Sequence, residues 1–218
     1  MQIGIVGGTG AAGCSLSVRL SSLGHEIMVG SRDPSKAVAA VAKLIGDDQS
    51  TGQIRGVPNV IAAKSDLVFL ATPWEGAPAA ALALREELAG KTVVSMVNAL
   101  FKYGREFQPL TLARGSAAQT IQSVIPDSYV VSALHHVPAH ALADVSRPVE
   151  CDVLVCSDHV ESKEQVITLL DSIPGIVGLD AGSLANSGAV EGMTAVLINL
   201  NVRYRTRTAL RITGISRG

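Results

Sequence analysis

The stretch "IGIVGGTGAAG", residues 3–13, decides the fold class. A short apolar run, Ile3–Val6, leads into the glycine-rich segment at residues 8–13, and an Ala/Leu-rich run follows. In such a strand–turn–helix crossing, the first glycine permits a tight turn and the second lets a pyrophosphate approach the backbone. The third lets the helix pack closely on the strand. A G-x-G-x-x-G motif alone is weak, but at the first crossing of an alternating pattern it predicts dinucleotide binding rather than a merely structural turn.

Short apolar runs alternate with longer Ala/Leu-rich segments along most of the chain. The predicted strands are Ile3–Val6, Glu26–Val29, Leu67–Ala71, Thr92–Ser95, Tyr129–Ser132 and Val153–Cys156. The predicted helices are Ala11–Leu23, Pro34–Ile45, Ala77–Leu88, Ala117–Ile125, Glu161–Leu170 and one long helix over Ser187–Arg211. This alternation predicts an α/β fold of Rossmann type with a doubly wound, mainly parallel sheet. We assign residues 1–180 to a dinucleotide-binding domain and residues 181–218 to a C-terminal helical segment that closes the substrate cleft.

Composition argues against several classes of function. The chain has 218 residues, 47% of them hydrophobic, which suffices for a full core. A net charge of −1 and only 3% aromatic residues argue against a nucleic-acid partner, and no apolar run is long enough to cross a membrane. Cys14, Cys151 and Cys156 form no paired motif, and no leader pattern precedes the first strand. We therefore expect a reduced cytoplasmic protein, and the apolar closing helix suggests a homodimer.

The end of the second predicted strand favours NADP over NAD. NAD-preferring proteins usually place Asp or Glu there to bind the ribose 2′-hydroxyl, whereas this chain has Ser31 and Arg32, with Lys36 one helical turn later. A hydroxyl, a guanidinium and an ammonium can all contact a 2′-phosphate. The alternative is a basic surface cluster beside a helix that Asp33 caps, and the two interpretations are compatible.

Further candidates follow two other strands at the same predicted edge of the sheet. Thr72 and Pro73, in "LATPWEGA", would flank the cofactor, and Asn98 in "SMVNAL" would bring an amide beside them. Trp74 either provides an apolar wall for a ligand or packs against the core, and the sequence favours neither reading.

No acid–base machinery for reducing a carbonyl is visible. The chain has no Tyr-x-x-x-Lys pair, and His135, His136 and His140 lack the H-E-x-x-H pattern and nearby carboxylates that a metal site needs. We predict no metal, no catalytic acid or base, and His135 lining the cleft. Such a site suits a second hydride carrier, because two rings held face to face need orientation rather than a proton donor.

Five arginines fall in the last sixteen positions, with no acidic residue after Glu191. On the predicted helix, Arg203, Arg207 and Arg211 have i,i+4 spacing and share a face. An anion bound along that face would relieve their repulsion. The alternative is that they are solvated charges at a helix C-terminus.

Taken together, these motifs resemble those of the F420-dependent NADP reductases (NADPH:coenzyme F420 oxidoreductases) over nearly the whole chain. The segments that carry the resemblance are "GGTGAAG", "LGHEIMVGSR", "TPWEGA", "VVSALHHVPA" and "LDAGSLANS". The resemblance implies reversible hydride exchange between NADP(H) and coenzyme F420, a 5-deazaflavin with a phosphate-bearing, polyglutamate-like tail. The first rival is an NADP-dependent reductase of another small acceptor, an imine or a ferric ion. The second is a non-enzymatic NADP-binding redox sensor.

The resemblance also implies roles for individual residues. It implies that the pyrophosphate lies at Thr9, Gly10, Ala11 and Ala12, the 2′-phosphate at Ser31, Arg32 and Lys36, and the nicotinamide near Thr72, Pro73, Asn98 and Ala139. The deazaflavin would lie near Trp74 and His135, and its tail would meet Arg203 and Arg207. Two positions depart from the family pattern: relatives often have His where this chain has Gly76, and many have Asn where it has Ala11.

Overall fold

The computed structural model describes residues 1–45 and 53–215. Its strands are β1 (Gln2–Val6), β2 (Glu26–Ser31), β3 (Ile54–Pro58), β4 (Leu67–Leu70), β5 (Thr92–Ser95), β6 (Leu100–Tyr103), β7 (Glu106–Pro109), β8 (Tyr129–Ser132), β9 (Cys151–Val155) and β10 (Ile176–Asp180). Its helices are α1 (Ala11–Ser21), α2 (Pro34–Ile45), α3 (Asn59–Ala62), α4 (Ala77–Ala83), α5 (Arg85–Leu88), α6 (Ala117–Val124), α7 (Ala139–Ala143), α8 (Val160–Asp171) and α9 (Ser187–Tyr204).

The central sheet has six parallel strands in the order β3-β2-β1-β4-β5-β8. The direction in which strands are added reverses between β1 and β4. In open α/β sheets, ligands bind in the crevice that forms at such a reversal, outside the carboxyl ends of the strands. The predicted Rossmann-type fold class is confirmed.

Both faces of this sheet are buried, as a doubly wound fold requires. Ile3 and Ile5 of β1 belong to one apolar cluster, together with Leu16 and Leu20 of α1. Val6 belongs to a second cluster on the opposite face, which includes side chains of α4 and α6. Alternate residues of a strand point to opposite faces, so a strand buried on both sides is apolar along its length. This explains why these strands were visible in the sequence.

The predicted strand Val153–Cys156 does not lie in the central sheet. It corresponds to β9, which pairs in parallel with β10 in a separate two-stranded sheet and meets β8 at an antiparallel bridge between Ser132 and Cys156. The sixth central strand is β3, which the sequence did not reveal. β3 is an edge strand that contains glycine and proline, both depleted in strands.

The prediction of one helix over Ser187–Arg211 is wrong at its C-terminal end. The helix begins at Ser187 but ends at Tyr204, because Arg205 has a left-handed backbone conformation with φ 50°. The side-chain oxygen of Asn201 accepts a hydrogen bond from the Thr208 amide at 2.6 Å, which holds the turn. The chain then returns to β9, where the Asp152 amide donates to the Leu210 carbonyl at 2.8 Å.

An antiparallel hairpin of β6 and β7 also escaped prediction. It lies against α9, where the Asn199 side chain accepts from the Phe107 amide at 2.8 Å and donates to the Phe107 carbonyl at 2.9 Å. Within residues 1–45 and 53–215, no helix is both long enough and apolar enough to span a bilayer.

Candidate functional site

The glycine loop between β1 and α1 contains two kinds of glycine: those that close packing requires and one that is open to a ligand. A Cβ at Gly13 would lie 2.6 Å from the Cα of Gly8, so these two glycines allow the helix to pack against the turn. A Cβ at Gly10 would meet no atom within 4 Å. Gly10 is therefore the position where a ligand has room to approach the backbone, as the motif predicts.

The N-terminus of α1 is open beside Gly10. Gly10 is the N-cap residue, no side chain caps it, and the first helical hydrogen bond runs from the Cys14 amide to its carbonyl. Ala11 and Ala12 are exposed, and the first turn contains no acidic residue. The structure thus brings Thr9, Gly10, Ala11 and Ala12 together around backbone N–H groups that suit an anion.

Two exposed cations follow the end of β2. Arg32 and Lys36 are exposed, and neither belongs to any ion pair formed among the described residues. Ser31 is nearly buried, and its hydroxyl accepts a hydrogen bond from the Asp33 amide at 3.2 Å.

Asp33 caps α2, as the sequence predicted. Its carboxylate accepts hydrogen bonds from the Ser35 amide at 3.0 Å and the Ser35 hydroxyl at 2.6 Å. The bond from the Ser35 side chain is the main reason that the pKa of Asp33 is lowered. Because this carboxylate serves the helix, Arg32 remains free to meet a phosphate.

Two buried polar atoms, which follow the ends of β4 and β5, lack a partner within the described residues. The Thr72 hydroxyl and the Asn98 side-chain oxygen make no hydrogen bond within the described part of the chain. Thr72 lies against the glycine loop, since a Cβ at Gly7 would fall 2.3 Å from its Cγ2. Buried polar groups are normally satisfied, so these two atoms fit a polar ligand group at this edge. With the glycine loop and the two cations, the residues present fit a dinucleotide.

The amide and aromatic side chains at this edge have further contacts. The nitrogen of the Asn98 side chain donates to the His135 carbonyl at 3.1 Å, which joins the ends of β5 and β8. Pro73 is exposed, and Trp74 is half-buried and packs in part against the apolar cluster under α4. Ala139 is the first residue of α7 and is half-buried.

The three histidines do not converge on one point. His135 is buried and bonds Ser132 Oγ through Nε2 at 2.7 Å, whereas His136 Nε2 bonds the Asp152 carbonyl at 2.9 Å and His140 is exposed. Within the described ranges, no three potential ligands are placed to hold a metal ion.

His135 is neutral at physiological pH. Burial, followed by the neighbouring His136, lowers the pKa of His135 to about 3. Its side chain therefore carries no proton to donate as an imidazolium.

Helix α9 reaches this edge through two residues that the sequence analysis did not single out. Thr194 Oγ1 donates to the His135 carbonyl at 3.0 Å. Glu191, only 5% exposed, accepts hydrogen bonds from the amides of Ala117 and Ala118 at 2.9 and 3.1 Å, so it caps α6. Glu191 is the one acidic residue of α9, and this was the available signal.

Glu191 should make stability fall as pH rises. Burial raises its pKa to about 7, against the opposing effect of the two amide bonds. An unfolded carboxyl releases its proton near pH 4.3, so between about pH 4.5 and 7 the unfolded state binds fewer protons and the folded state is penalised. We compare the unfolding free energy of Glu191→Gln with that of the unmodified chain. This difference should be about 2 kcal/mol more favourable to the variant at pH 7.5 than at pH 5.

Urea denaturation of both proteins at the two pH values measures this difference. Buried histidines shift the stability of both proteins alike and cancel in the comparison. A difference that does not change with pH would show that Glu191 ionises normally.

The C-terminal arginines do not share a helix face. Arg203 pairs with Glu106 at 3.1 Å, and Arg211 pairs with the buried Asp152 at 3.4 Å. Arg207 lies beyond the end of α9, near enough to His140 to lower its pKa in addition to the larger effect of burial. The predicted i,i+4 alignment is wrong because the helix stops at Tyr204, and Arg217 lies outside the described residues.

Comparison with known proteins places this architecture in a family. A family model described as "NADP oxidoreductase coenzyme F420-dependent" matches residues 2–99. The F420-dependent NADP reductase of Methanocaldococcus jannaschii is 38% identical over 222 residues, which cover 99% of each chain. This chain belongs to the F420-dependent NADP reductase family.

A solved structure from Arthrobacter sp. FB24, provisionally described as an F420-dependent NADP-reductase, is also similar. It has a TM-score of 0.80 and 26% identity, covering 97% of this chain and all of that one. Metalloreductase STEAP3 of Rattus norvegicus is 30% identical over 197 residues, which are 90% of this chain but 37% of that protein. The similarity to members of the family therefore extends over whole chains, whereas the similarity to the metalloreductase covers only 37% of that protein.

The two positions that were predicted to differ from the family pattern are both exposed. Gly76 is exposed, and a Cβ there would meet nothing within 4 Å. Ala11 is exposed at the start of α1. Packing therefore does not impose glycine at position 76.

Proposed function

We propose that this protein is an oxidoreductase that transfers a hydride reversibly between NADP(H) and coenzyme F420. The observation that carries the proposal is the 38% identity over 99% of both chains with an F420-dependent NADP reductase, because it spans the glycine loop and the C-terminal segment alike. The open Gly10 and the exposed Arg32 support the NADP half. When bound, the nicotinamide supplies the hydride, and the deazaflavin accepts or returns it.

In this proposal the protein binds and orients, and no side chain transfers a proton. The amides around Thr9–Ala12 hold the pyrophosphate, and Ser31, Arg32 and Lys36 hold the 2′-phosphate. The nicotinamide part of the site is lined by Thr72, Pro73, Asn98 and Ala139. Orientation of two reacting rings contributes much of the rate in such a reaction, and the neutral His135 is consistent with the lack of a proton relay.

We assign the part of the site that binds the deazaflavin to Trp74 and His135. Residues 181–218 would close the cleft. His135 is almost completely buried, so its ring would form part of the floor beneath the ligand rather than an open wall. The Thr194 bond to the His135 carbonyl supports a position for α9 over this edge.

We also propose a cytoplasmic homodimer. Three free cysteines suit a reducing compartment. Val196 and Tyr204, about two turns apart on one side of α9, are more than half exposed, and a second copy could cover them. Light scattering coupled to size-exclusion chromatography measures the mass directly.

Mixing the purified protein with NADPH and oxidised F420, and following the loss of deazaflavin absorbance, tests the activity. We expect the unmodified protein to reduce F420 and the Gly10→Asp variant to be inactive. NADPH oxidation with an imine or with chelated ferric iron, but not with F420, would support the first rival. Tight NADPH binding with no acceptor reduced would support the redox sensor.

Arg207 should contribute to binding the anionic tail of F420. Within the described ranges it belongs to no ion pair, whereas Glu106 already neutralises Arg203. We expect Arg207→Gln to raise the KM for F420 about fivefold, since an exposed charge contact contributes about 1 kcal/mol. Arg203→Gln should raise it less, and the KM for NADPH should change in neither variant. Steady-state kinetics decides, and an unchanged KM for F420 would leave Arg207 as a solvated charge.

A further inference from the structure

Arg19 of α1 is a buried cation that binds only backbone carbonyls. It is 1% exposed, and its Nε donates to the Leu142 carbonyl at 3.1 Å. One of its terminal nitrogens lies within hydrogen-bond distance of the carbonyls of Ala141, Asp144 and Arg147, at 2.9, 2.5 and 3.2 Å. Buried arginines usually form ion pairs with carboxylates. None of the ion pairs among the described residues includes Arg19, although the Asp144 carboxylate is near enough to oppose the lowering of the Arg19 pKa by burial.

The segment that Arg19 holds is short and mostly exposed. It consists of the single-turn helix α7 and the four residues after it, and Leu142 is its only buried residue. A five-residue helix is not stable alone, and its last carbonyls have no partner within the helix. Arg19 provides donors for these carbonyls and for two beyond the helix end. Apolar packing of Ala141 and Leu142 holds one side of α7, and the guanidinium of Arg19 fixes its C-terminal carbonyls.

Helix α1 connects the Arg19 contacts to the glycine loop. Arg19 lies eight residues after Ala11, about 12 Å along the same rigid helix. The N-terminus of α1 faces the proposed pyrophosphate site, while its buried side holds α7, whose first residue, Ala139, borders the proposed nicotinamide site. One helix thus sets the distance between the two halves of the cofactor site.

We infer that Arg19 is a positioning residue, which fixes the nicotinamide half of the NADP site through its carbonyl contacts to residues 141–147 without touching the cofactor. The inference rests on the proposed function for the location of the nicotinamide. It assigns a binding role to a residue that lies outside every motif of the site.

Two ligands separate this role from general destabilisation. NADPH occupies both halves of the site, whereas 2′-phospho-ADP-ribose lacks the nicotinamide. We expect Arg19→Met to weaken NADPH binding about tenfold in calorimetry and to leave 2′-phospho-ADP-ribose within about twofold. Arg19→Lys keeps one donor group and should give a smaller loss with the same selectivity. It also decides the test if Arg19→Met does not fold.

Lys91 provides the matched control. Its ammonium donates to the carbonyls of Ala63 and Ser65 at 3.2 and 2.9 Å, at the amino end of the sheet, opposite the ligand edge. Lys91→Met should lower thermal stability without changing the ratio of the two affinities. Equal weakening of both ligands by the Arg19 variants, or no change in either, would overturn the inference. Neither measurement uses F420, so a protein inactive toward F420 would refute the proposed function and leave this test intact.

Discussion

Gly10→Asp is expected to stabilise the unliganded protein slightly and to weaken NADPH binding at least about 100-fold, or about 2.7 kcal/mol. Gly10 is the N-cap of α1 with φ −80° and ψ 170°, an extended conformation open to any residue, and space surrounds it. Aspartate is a preferred N-cap whose charge also suits the helix dipole, so unfolding should cost about 0.5 kcal/mol more. The same carboxylate would occupy the space of the pyrophosphate and repel it.

Two variants separate the contributions to this result. Gly10→Asn has nearly the same shape without the charge, so the difference between the two variants measures repulsion, and their shared loss measures steric exclusion. Gly13→Ala should act in the opposite way, lowering stability by about 1–3 kcal/mol, because its new methyl group would press on the backbone of Gly8. Calorimetric titration and thermal melts measure both quantities. NADPH binding by Gly10→Asp at normal affinity would show that the phosphates lie elsewhere.

The fold could be predicted from the sequence because its local signals agree with its architecture. All central strands except the edge strand β3 contain a clear apolar run, and the glycine loop follows the first of them, so the local pattern and the global architecture agree. Ser31 and Arg32 could be placed at the ligand edge for the same reason: all strands of the central sheet are parallel, and their carboxyl ends meet there.

The contacts that escaped prediction depend on partners far apart in sequence. The end of α9 is set by the left-handed Arg205 and by the return of the chain to Asp152, neither of which helix periodicity reveals. Asn59, which accepts from the Gly7 amide at 3.1 Å, follows the unrecognised strand β3. Arg19 appears in the sequence as an ordinary helical cation, and only the fold shows that four carbonyls surround it.

Arg32→Ala is expected to weaken NADPH binding about 30-fold, or about 2 kcal/mol, and to change NADH binding less than about twofold. Arg32 follows Ser31 at the end of β2, is exposed, and belongs to no ion pair within the part of the chain that the structure describes. Its guanidinium therefore gives up no existing partner when it meets the 2′-phosphate. NADH lacks that phosphate, so removing the guanidinium should leave the affinity for NADH almost unchanged.

Lys43→Ala is the control for net charge in this comparison. It removes one exposed cation from the last turn of α2, the helix that begins just after Arg32, and so changes the long-range field without reaching the end of β2. A charge-assisted contact also weakens as salt screens it, so the ratio of NADPH to NADH affinity should fall with ionic strength for the unmodified chain and for Lys43→Ala, but much less for Arg32→Ala. Equal losses of NADPH and NADH affinity in Arg32→Ala would place the guanidinium on a part that both nucleotides share, and the preference for NADP would then have to come from Ser31 and Lys36.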